Sequence, residues 1–401
     1  MSEFNISVPG GESKRLKTGG KYCPADIVVN AEKSAPVVEK DVNLWDYDGT
    51  LLYSYTLEEL QSLTELPPLP AHDGLVCQGW NWTLADLKTY GKPYDVMPYY
   101  VTGDGATWFD IVNDTGKDIS VTFKWYPYSG ETVLDFGDNS ESYKVTLSAA
   151  AVHTYTHIYA PGEYRAKLSG KYHLRGGYAV TDIATNACIT LKRVFFGTDP
   201  GYLYGDAFRG CINIETVTMR NNMNFIGANT FYQCCRLKAM VLPHTNIEAS
   251  PTTKCHSLKV LSLCSTATSY YGVGYVNSLK RLCLPDSLTS MHSGVTDNGA
   301  LRYINIPYGT TSLPNNAFIR NYSLLSLDIP SSITSIGSAA FTTCESLYKL
   351  RFNSVTPPAV ANANAFSGIP AWCVVEVPAE SLTAYQQATN YGTIAAQMVG
   401  V

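Results

Sequence analysis

The sequence predicts a mainly β, multidomain chain: a small N-terminal β-rich region, a β-sandwich and a C-terminal solenoid closed by a helix. Three observations carry this. A phrase with apolar residues spaced as L-x-x-L-x-L recurs eight times between Cys188 and Phe352. Ahead of it, short alternating strands are separated by Gly, Pro, Asp and Asn turns. The composition is β-like and turn-rich: 401 residues, 45% hydrophobic but only 16% charged, with 28 Tyr, 31 Gly and 21 Pro. That apolar content supports packed cores and excludes global disorder. A net charge of -5 gives no electrostatic reason to expect nucleic acid. No run of about 18 apolar residues occurs, so no membrane insertion is expected. The opening residues lack a basic-then-apolar leader, so no signal peptide is expected.

Residues 1–35 read as a short polar β module, and 36–112 as a second N-terminal region. Within it, TLEELQSL is an amphipathic helix capped by Thr56, with Glu58 and Glu59 in its first turn. The proline-rich stretch from Leu66 to Pro70 stops it. Trp80 and Trp82 alternate and are expected to clamp a local core. The phrases VPGGESKRLKTGGKYCPADIVVNAE, DYDGTLLYSYT, GLVCQGWNW and YVTGDGATWFDI resemble N-terminal segments of phage and prophage tail-associated proteins. That resemblance implies attachment to a virus particle.

Residues 113–172 alternate as a sandwich does. LDFGDNS followed by HTYTHIYAPGEYRAKL resembles the PKD type of Ig-like domain, with Phe136-Gly137-Asp138-Asn139 where that family usually has Trp-Gly-Asp-Gly. The resemblance implies that Asp138 supports its turn, that Tyr159 and Tyr164 enter the core, and that the domain presents a neighbouring module. His153 and His157 lie four apart on one strand face, a spacing too long for easy chelation.

The solenoid occupies 173–401. Its phrases begin at Cys188, Cys211, Cys234, Cys255, Val276, Asn298, Asn321 and Cys344, at steps of 23, 23, 21, 21, 22, 23 and 23 residues. Each copy is one coil with a strand of about five residues, and eight coils at ~4.8 Å make a sheet of roughly 40 Å. The last apolar position holds Phe196, Met219, Leu242, Leu263, Leu284, Ile306, Ile329 and Phe352. A second phrase, A-F-x-x-C, precedes several strands as DAFRGC, NTFYQC, NAFIRN and AAFTTC, but PTTKC and SYYGVGYV lack it. A further strand at Val375 and Val377 is followed by a polar helix that caps the stack. The phrases SLDIPSSITSIGSAAFTTCESLYKLRF and WCVVEVPAESLTAYQQA resemble the BspA-like leucine-rich repeat and its C-terminal cap, over about 186–395. The resemblance implies adhesion to proteins or glycans without catalysis.

Three motifs bear on chemistry. Asp46-Tyr47-Asp48-Gly49-Thr50 matches the D-x-D-G-T opening of haloacid-dehalogenase-type phosphatases, whose first Asp attacks phosphorus. That chemistry needs a buried strand in a doubly wound sheet, whereas VNLWD alternates and Asp-Gly is a strong hairpin signal. A hairpin turn is expected and no enzyme. The 11 Cys include five at one repeat position (Cys188, Cys211, Cys234, Cys255, Cys344) that Val276, Asn298 and Asn321 also occupy. That position therefore asks for a small buried group, and free thiols are expected with no metal and no cofactor. Outward-pointing residues of the coils form two rows. One runs Thr216, Ala239, Val260, Arg281, Tyr303, Ser326, Lys349, and the other Thr218, Val241, Ser262, Cys283, Asn305, Asp328, Arg351. The polar end, Arg281, Tyr303, Asn305, Asp328, Lys349 and Arg351, is the expected binding surface.

The expected function is that of a non-enzymatic phage virion protein, a tail, fibre or other appendage. It would engage other virion proteins through its N-terminal region and a host surface protein or glycan through its repeats. It is expected to be a homo-oligomer, made in the host cytoplasm and carried on the particle. The rival is a bacterial cell-surface adhesin of the same repeat type, and the remote rival a phosphatase.

Overall fold

The computed structural model describes residues 4–6, 14–16, 40–146, 151–174, 179–182, 188–243, 246–247, 251–270, 272–292 and 294–401. Two compact units divide at Glu39 and Lys40. In the first, β1 (Phe4–Ile6) and β2 (Lys14–Leu16) pair antiparallel.

The second unit begins with β3 (Val42–Trp45) and β4 (Leu51–Tyr55), an antiparallel hairpin. Helix α1 (Leu57–Ser62) has the Thr56 cap that its sequence announces, and the structure completes it as a capping box: Thr56 Oγ1 accepts from Glu59 N–H, and the Glu59 carboxylate from Thr56 N–H. Next come β5 (Leu75–Trp80), α2 (Leu84–Tyr90), β6 (Tyr94–Val96), β7 (Pro98–Thr102) and β8 (Thr107–Asn113). β6 lies parallel to β3, and β7 antiparallel to β5.

Strand β9 (Ile119–Asp135) runs for 17 residues and belongs to two sheets. Its first half pairs with β11 (His153–Tyr159) and β13 (Val180–Asp182). Its second half pairs with β10 (Tyr143–Thr146) and β12 (Gly162–His173). The change of partners falls between Trp125 and Tyr126, one residue before Pro127, which has no N–H to give to a ladder. Between the two sheets Phe109, Phe123, Trp125, Leu134, Phe136, Tyr159 and Leu168 are buried. Tyr164 is only half-buried, its ring 4.9 Å from Tyr159. Gly137 holds φ +75, and a Cβ there would stand 2.2 Å from the Arg165 carbonyl oxygen. Asp138 ties the adjoining turn, accepting from Ser140 N–H at 3.0 Å and facing His157 Nε2 at 2.7 Å. Burial opposes its ionisation, but the bonds from Ser140 and His157 outweigh burial and bring the carboxyl down to about 2. His157 also stacks on Phe136 at 3.9 Å, so both histidines of HTYTH serve the packing face of β11.

No break separates this region from the coils. β8 pairs with β12 on one side and with β14 (Leu191–Phe195) on the other. β14 then pairs in parallel with Thr216–Thr218, the strand of the next coil. The boundaries expected at 112/113 and 172/173 therefore fall inside β8 and β12. Every residue of β8 but Val112 is buried, and both its edges are hydrogen-bonded, so the chain cannot be parted there.

The coils stack in register: Ala239–Leu242 beside Val260–Leu263, Arg281–Leu282 beside Tyr303–Ile304, and Ser326–Ile329, Lys349–Phe352 and Val374–Val377 in succession. All eight residues of the last apolar position are buried. A second row of two-residue strands, which the repeat pattern did not announce, runs along another side of the array: Tyr202–Leu203, Phe225–Ile226 and Asn246–Ile247, then Ser312–Leu313, Ser335–Ile336 and Ala359–Val360. Phe208 and Phe231 stack at 5.4 Å, and Phe318, Phe341 and Phe366 at 5.6 Å per step. In the coils at Cys255, Val276 and Asn298, which lack the A-F phrase, Thr252, Val273 and Val295 take the aromatic position. There a short strand pair, Val273–Gly274 with Val295–Thr296, replaces the turn.

The alternation of Cys and Asn at one repeat position has a physical reason. The group there donates to a carbonyl of the preceding coil. Cys234 Sγ reaches Phe208 O at 3.3 Å, Cys255 Sγ Phe231 O at 3.1 Å and Cys344 Sγ Phe318 O at 3.2 Å. Asn298 Nδ2 reaches Val273 O at 3.3 Å and Asn321 Nδ2 reaches Val295 O at 2.6 Å. All five repeat cysteines are free and buried. Burial pushes the Cys344 thiol up to about 12.

After Val374–Val377, helix α3 (Leu382–Gln387) seats Tyr385 on Phe352 at 5.3 Å. Tyr391 follows against Phe366 at 5.3 Å. The chain then returns as Met398–Gly400, a further parallel strand on Val374–Val377 that the sequence reading did not anticipate.

Two outcomes are expected. Labelling of the native protein with a small thiol reagent, mapped by mass spectrometry, modifies exposed Cys77 and none of the five repeat cysteines until denaturant is added. Asn321→Ala, which strands three hydrogen-bonding partners, lowers stability by about 2–4 kcal/mol in urea titration, and Asn321→Cys recovers part of the loss.

Candidate functional site

The DYDGT segment is the turn of the β3–β4 hairpin. Asp46 N–H donates to Thr50 O at 2.7 Å, Gly49 N–H to Asp46 O at 3.1 Å, and Asp48 Oδ1 accepts from Thr50 N–H at 2.8 Å. Gly49 holds φ +85, which only glycine adopts without strain. Asp46 is buried beside His72, with Nε2 at 2.9 Å from its carboxylate. Desolvation raises its pKa against the bonds from Tyr47 N–H and His72. The hairpin expected at Asp-Gly is thus present, and its two carboxylates hold the turn and His72. Among the described residues, no three His, Cys, Asp or Glu side chains gather as a metal site would require.

The strand face is not open along its whole length. Residues 40–102 lie across it. Asn81 Nδ2, Trp82 Nε1 and Tyr94 Oη all donate to the single carbonyl of Leu263, at 3.0, 2.9 and 3.0 Å. Asn81 Nδ2 also donates to Ser262 Oγ at 2.7 Å. Trp82, Tyr90 and Tyr94 form one aromatic cluster, with Trp82 and Tyr94 centroids 4.2 Å apart, packed on Cys283 and Tyr303. Trp82 therefore clamps a contact 181 residues away rather than a local core. Trp80, by contrast, stays local and donates to Pro67 O at 3.1 Å.

This cover corrects the expected binding surface. Arg281 is not available: its guanidinium forms a bidentate pair with Asp95 and donates to the carbonyls of Lys40 and Asp41 at 3.2 and 3.1 Å. Tyr303 packs against the covering cluster. Asn305 is held between Tyr90 Oη at 2.8 Å and Leu284, accepting from its N–H and donating to its carbonyl, each at 2.7 Å. A signal for this was present in the outward rows. Ala239, Val241, Val260 and Cys283 are apolar, and Ser262 is the only small polar residue among them. A solvated sheet face would be more polar, so this stretch asks for a partner.

Asp328, Lys349 and Arg351 lie beyond the cover. Asp328 is exposed; Lys349 and Arg351 grip Glu376 from the next coil, with Lys349 Nζ 3.0 Å from its carboxylate. Burial opposes ionisation of Glu376, but hydrogen bonds from Lys349 and Arg351 outweigh it and hold the carboxyl below its ordinary range. Where the cover ends, a cleft of about 210 Å³ opens, lined by Lys92, Tyr303, Asn305, Tyr308, Asp328 and Asn353. Lys92 is fixed there by Asp286 at 2.7 Å and lies 4.2 Å over the ring of Tyr308. The exposed ring of Tyr308, the Asn353 amide, the Asp328 carboxylate and the Lys92 ammonium around one hollow can hold a polar ligand by stacking and hydrogen bonds. Lys92 and Tyr308 belong to this cleft although sequence reading missed them, because Lys92 comes from the covering region and Tyr308 from a turn after the strand.

The Arg281–Asp95 pair has a measurable consequence. Its side chains are 18% and 9% exposed. Asp95→Ala leaves a covered guanidinium unpaired and is expected to cost about 3–5 kcal/mol. Adding Arg281→Met recovers much of that loss in denaturant titration, and limited proteolysis of the single variant cuts first within 40–102.

A family model for the BspA type Leucine rich repeat region matches residues 179–273 and 270–372, six copies in all. Comparison with curated proteins gives no match. Among solved structures, a leucine-rich repeat protein from Bacteroides ovatus ATCC 8483 aligns at 16% identity and TM-score 0.35, over 47% of this chain and 55% of its own. A leucine rich cell surface protein from Faecalibacterium prausnitzii A2-165 aligns at 20% identity and TM-score 0.32, over 47% of this chain and 60% of its own. The chain thus spans little more than half the length of either. Within a mainly β chain of few helices, residues 179–372 are an array of BspA-type leucine-rich repeats.

Proposed function

We propose that this chain is a non-enzymatic recognition protein that presents the uncovered end of its repeat face to a surface protein or glycan. The observation that supports this is the polar row Asp328, Lys349 and Arg351 beside the Lys92–Tyr308 cleft, left bare while the preceding coils are dry and covered. In this reading the sandwich-like region of β8–β13 holds the array rigidly, in the manner of a PKD-type presenter, through the sheet shared with β14. The segment α3 to Gly400 closes the last coil as a cap.

Two carriers fit. On a phage particle, as a tail or fibre component, the protein would attach to other virion proteins, and the likeness of its N-terminal phrases to tail-associated proteins favours this. Because residues 40–102 are engaged by the chain's own coils, Met1–Glu39 is the segment to which attachment is assigned. On a bacterial cell surface the same repeat face would act as an adhesin, and the BspA-type repeats favour that at least as well. Several copies on either carrier would add avidity to weak contacts.

The combined variant Asp328→Ala, Lys349→Ala, Arg351→Ala, made with Glu376→Gln so that no covered carboxylate is left without its cations, is expected to reduce binding of the purified protein to target cells roughly tenfold or more while leaving its thermal unfolding near that of Glu376→Gln alone. Unchanged binding would sink the assignment of this face. Antibody against 186–395, viewed by negative-stain microscopy, labels intact phage particles if the virion carrier is right and bacterial envelopes if the adhesin carrier is right.

A further inference from the structure

We infer that the corner leading into the repeat strands carries a second site, a rail of cations for a linear acidic polysaccharide. Lys238, Lys259, Lys280 and Arg302 each stand four residues after the repeat position, in four consecutive coils, and all are exposed. The backbone ladder passes through this same position. Lys238 N–H donates to Glu215 O at 3.2 Å, Lys259 N–H to Lys238 O at 2.8 Å, Arg302 N–H to Lys280 O at 2.8 Å and Leu325 N–H to Arg302 O at 3.2 Å. Lys238 and Lys259, and Lys280 and Arg302, are therefore stacked on successive coils at roughly the 4.8 Å strand spacing, and the shared repeat position puts Lys280 on the coil after Lys259.

Such stacking of like charges is unfavourable unless something neutralises it. Lys238 has Glu215 at 3.2 Å. Among the described residues, Lys259, Lys280 and Arg302 have no carboxylate within ion-pair distance, in a chain whose net charge is -5. The cations are thus concentrated against the overall balance of the molecule, and their charge is left for a ligand.

The period selects the ligand class. A polysaccharide with an acidic group on every sugar rises per sugar by about the coil spacing, so a chain lying along the array keeps its acidic groups within reach of the long Lys and Arg side chains. Single-stranded nucleic acid fits less well, because it is held by aromatic platforms alternating with phosphate contacts. Here exposed rings do not alternate with the cations: Tyr275, Tyr308 and Tyr322 stand at other positions of their coils, and Tyr348, at the rail's own position, comes two coils after Arg302. This row is separate from Asp328, Lys349 and Arg351, so the site stands whether or not that face binds anything.

The test uses the full chain in biolayer interferometry against immobilised polygalacturonate and dextran sulfate, with uncharged dextran and poly-dT as comparators. Binding to at least one acidic polymer, none to dextran, and weakening with rising salt are expected. Lys259→Glu with Lys280→Glu lowers affinity roughly tenfold or more. The charge-neutral pair Lys259→Gln, Lys280→Gln gives a smaller loss, and Asp328→Ala with Lys349→Ala gives none. Circular dichroism melts confirm that each variant is folded. No binding to either acidic polymer, binding indifferent to the lysine variants, or poly-dT bound as tightly as the polysaccharides would each overturn the assignment.

Discussion

Everything in this chain depends on the fact that one coil cannot satisfy its own backbone. Each coil is a loop of some 21 to 23 residues with few internal hydrogen bonds, and its amides and carbonyls point to the coils on either side. A buried N–H or C=O without a partner costs about as much as a lost hydrogen bond. Stacking in register is therefore obligatory, and the repeat position enforces it. A Cys thiol or an Asn amide reaches back to a carbonyl of the previous coil, and a shift of one residue would break every such bond. Stacked phenylalanines add burial at the same turns, each about 1.5–3 kcal/mol when fully enclosed. Where Thr252, Val273 and Val295 replace them, a short strand pair or close backbone packing makes up the turn.

The same constraint leaves two raw ends, and the chain closes the first by pairing and shields the last with a helix and a short strand. At one end β14 joins β8, so the first rung of the array is an outer strand of the preceding sheet. At the other end Met398–Gly400 returns to lie on Val374–Val377 after α3 has covered the last aromatic layer. Unpaired edges invite association with other chains. Here the first rung has no open edge, and at the far end the outermost rung, Met398–Gly400, is only three residues long, too short to template a partner strand.

The array also has a dry side to cover. Apolar outward residues from Ala239 to Cys283 would leave a greasy stripe in water, and residues 40–102 bury it through Trp82, Tyr90 and Tyr94. The Leu263 carbonyl, accepting from three side chains at once, fixes the position of that cover. What remains uncovered is the polar end of the face, the Lys92–Tyr308 cleft where the cover stops, and the corner of stacked cations, the surfaces to which recognition is proposed to fall.

The repeat period, the buried apolar positions, the hairpin at Asp-Gly, the Thr56 helix cap and the buried thiols were legible in the sequence because each follows from local pattern or from a position repeated coil after coil. The second strand row and the returning terminal strand were not, since two- and three-residue strands carry no periodic signal. The candidate site was half legible. Asp328, Lys349 and Arg351 were identified by their place in the repeat, but Arg281, Tyr303 and Asn305 share that place and are enclosed. What separates them is a contact made by residues about 190 to 240 positions away in the chain, Asp95, Lys40 and Tyr90. Sequence alone determined which side chains point outward, because strand alternation is a local property of the backbone. Only the tertiary structure decided which of those outward faces meet water, because burial depends on distant segments whose approach no local spacing encodes.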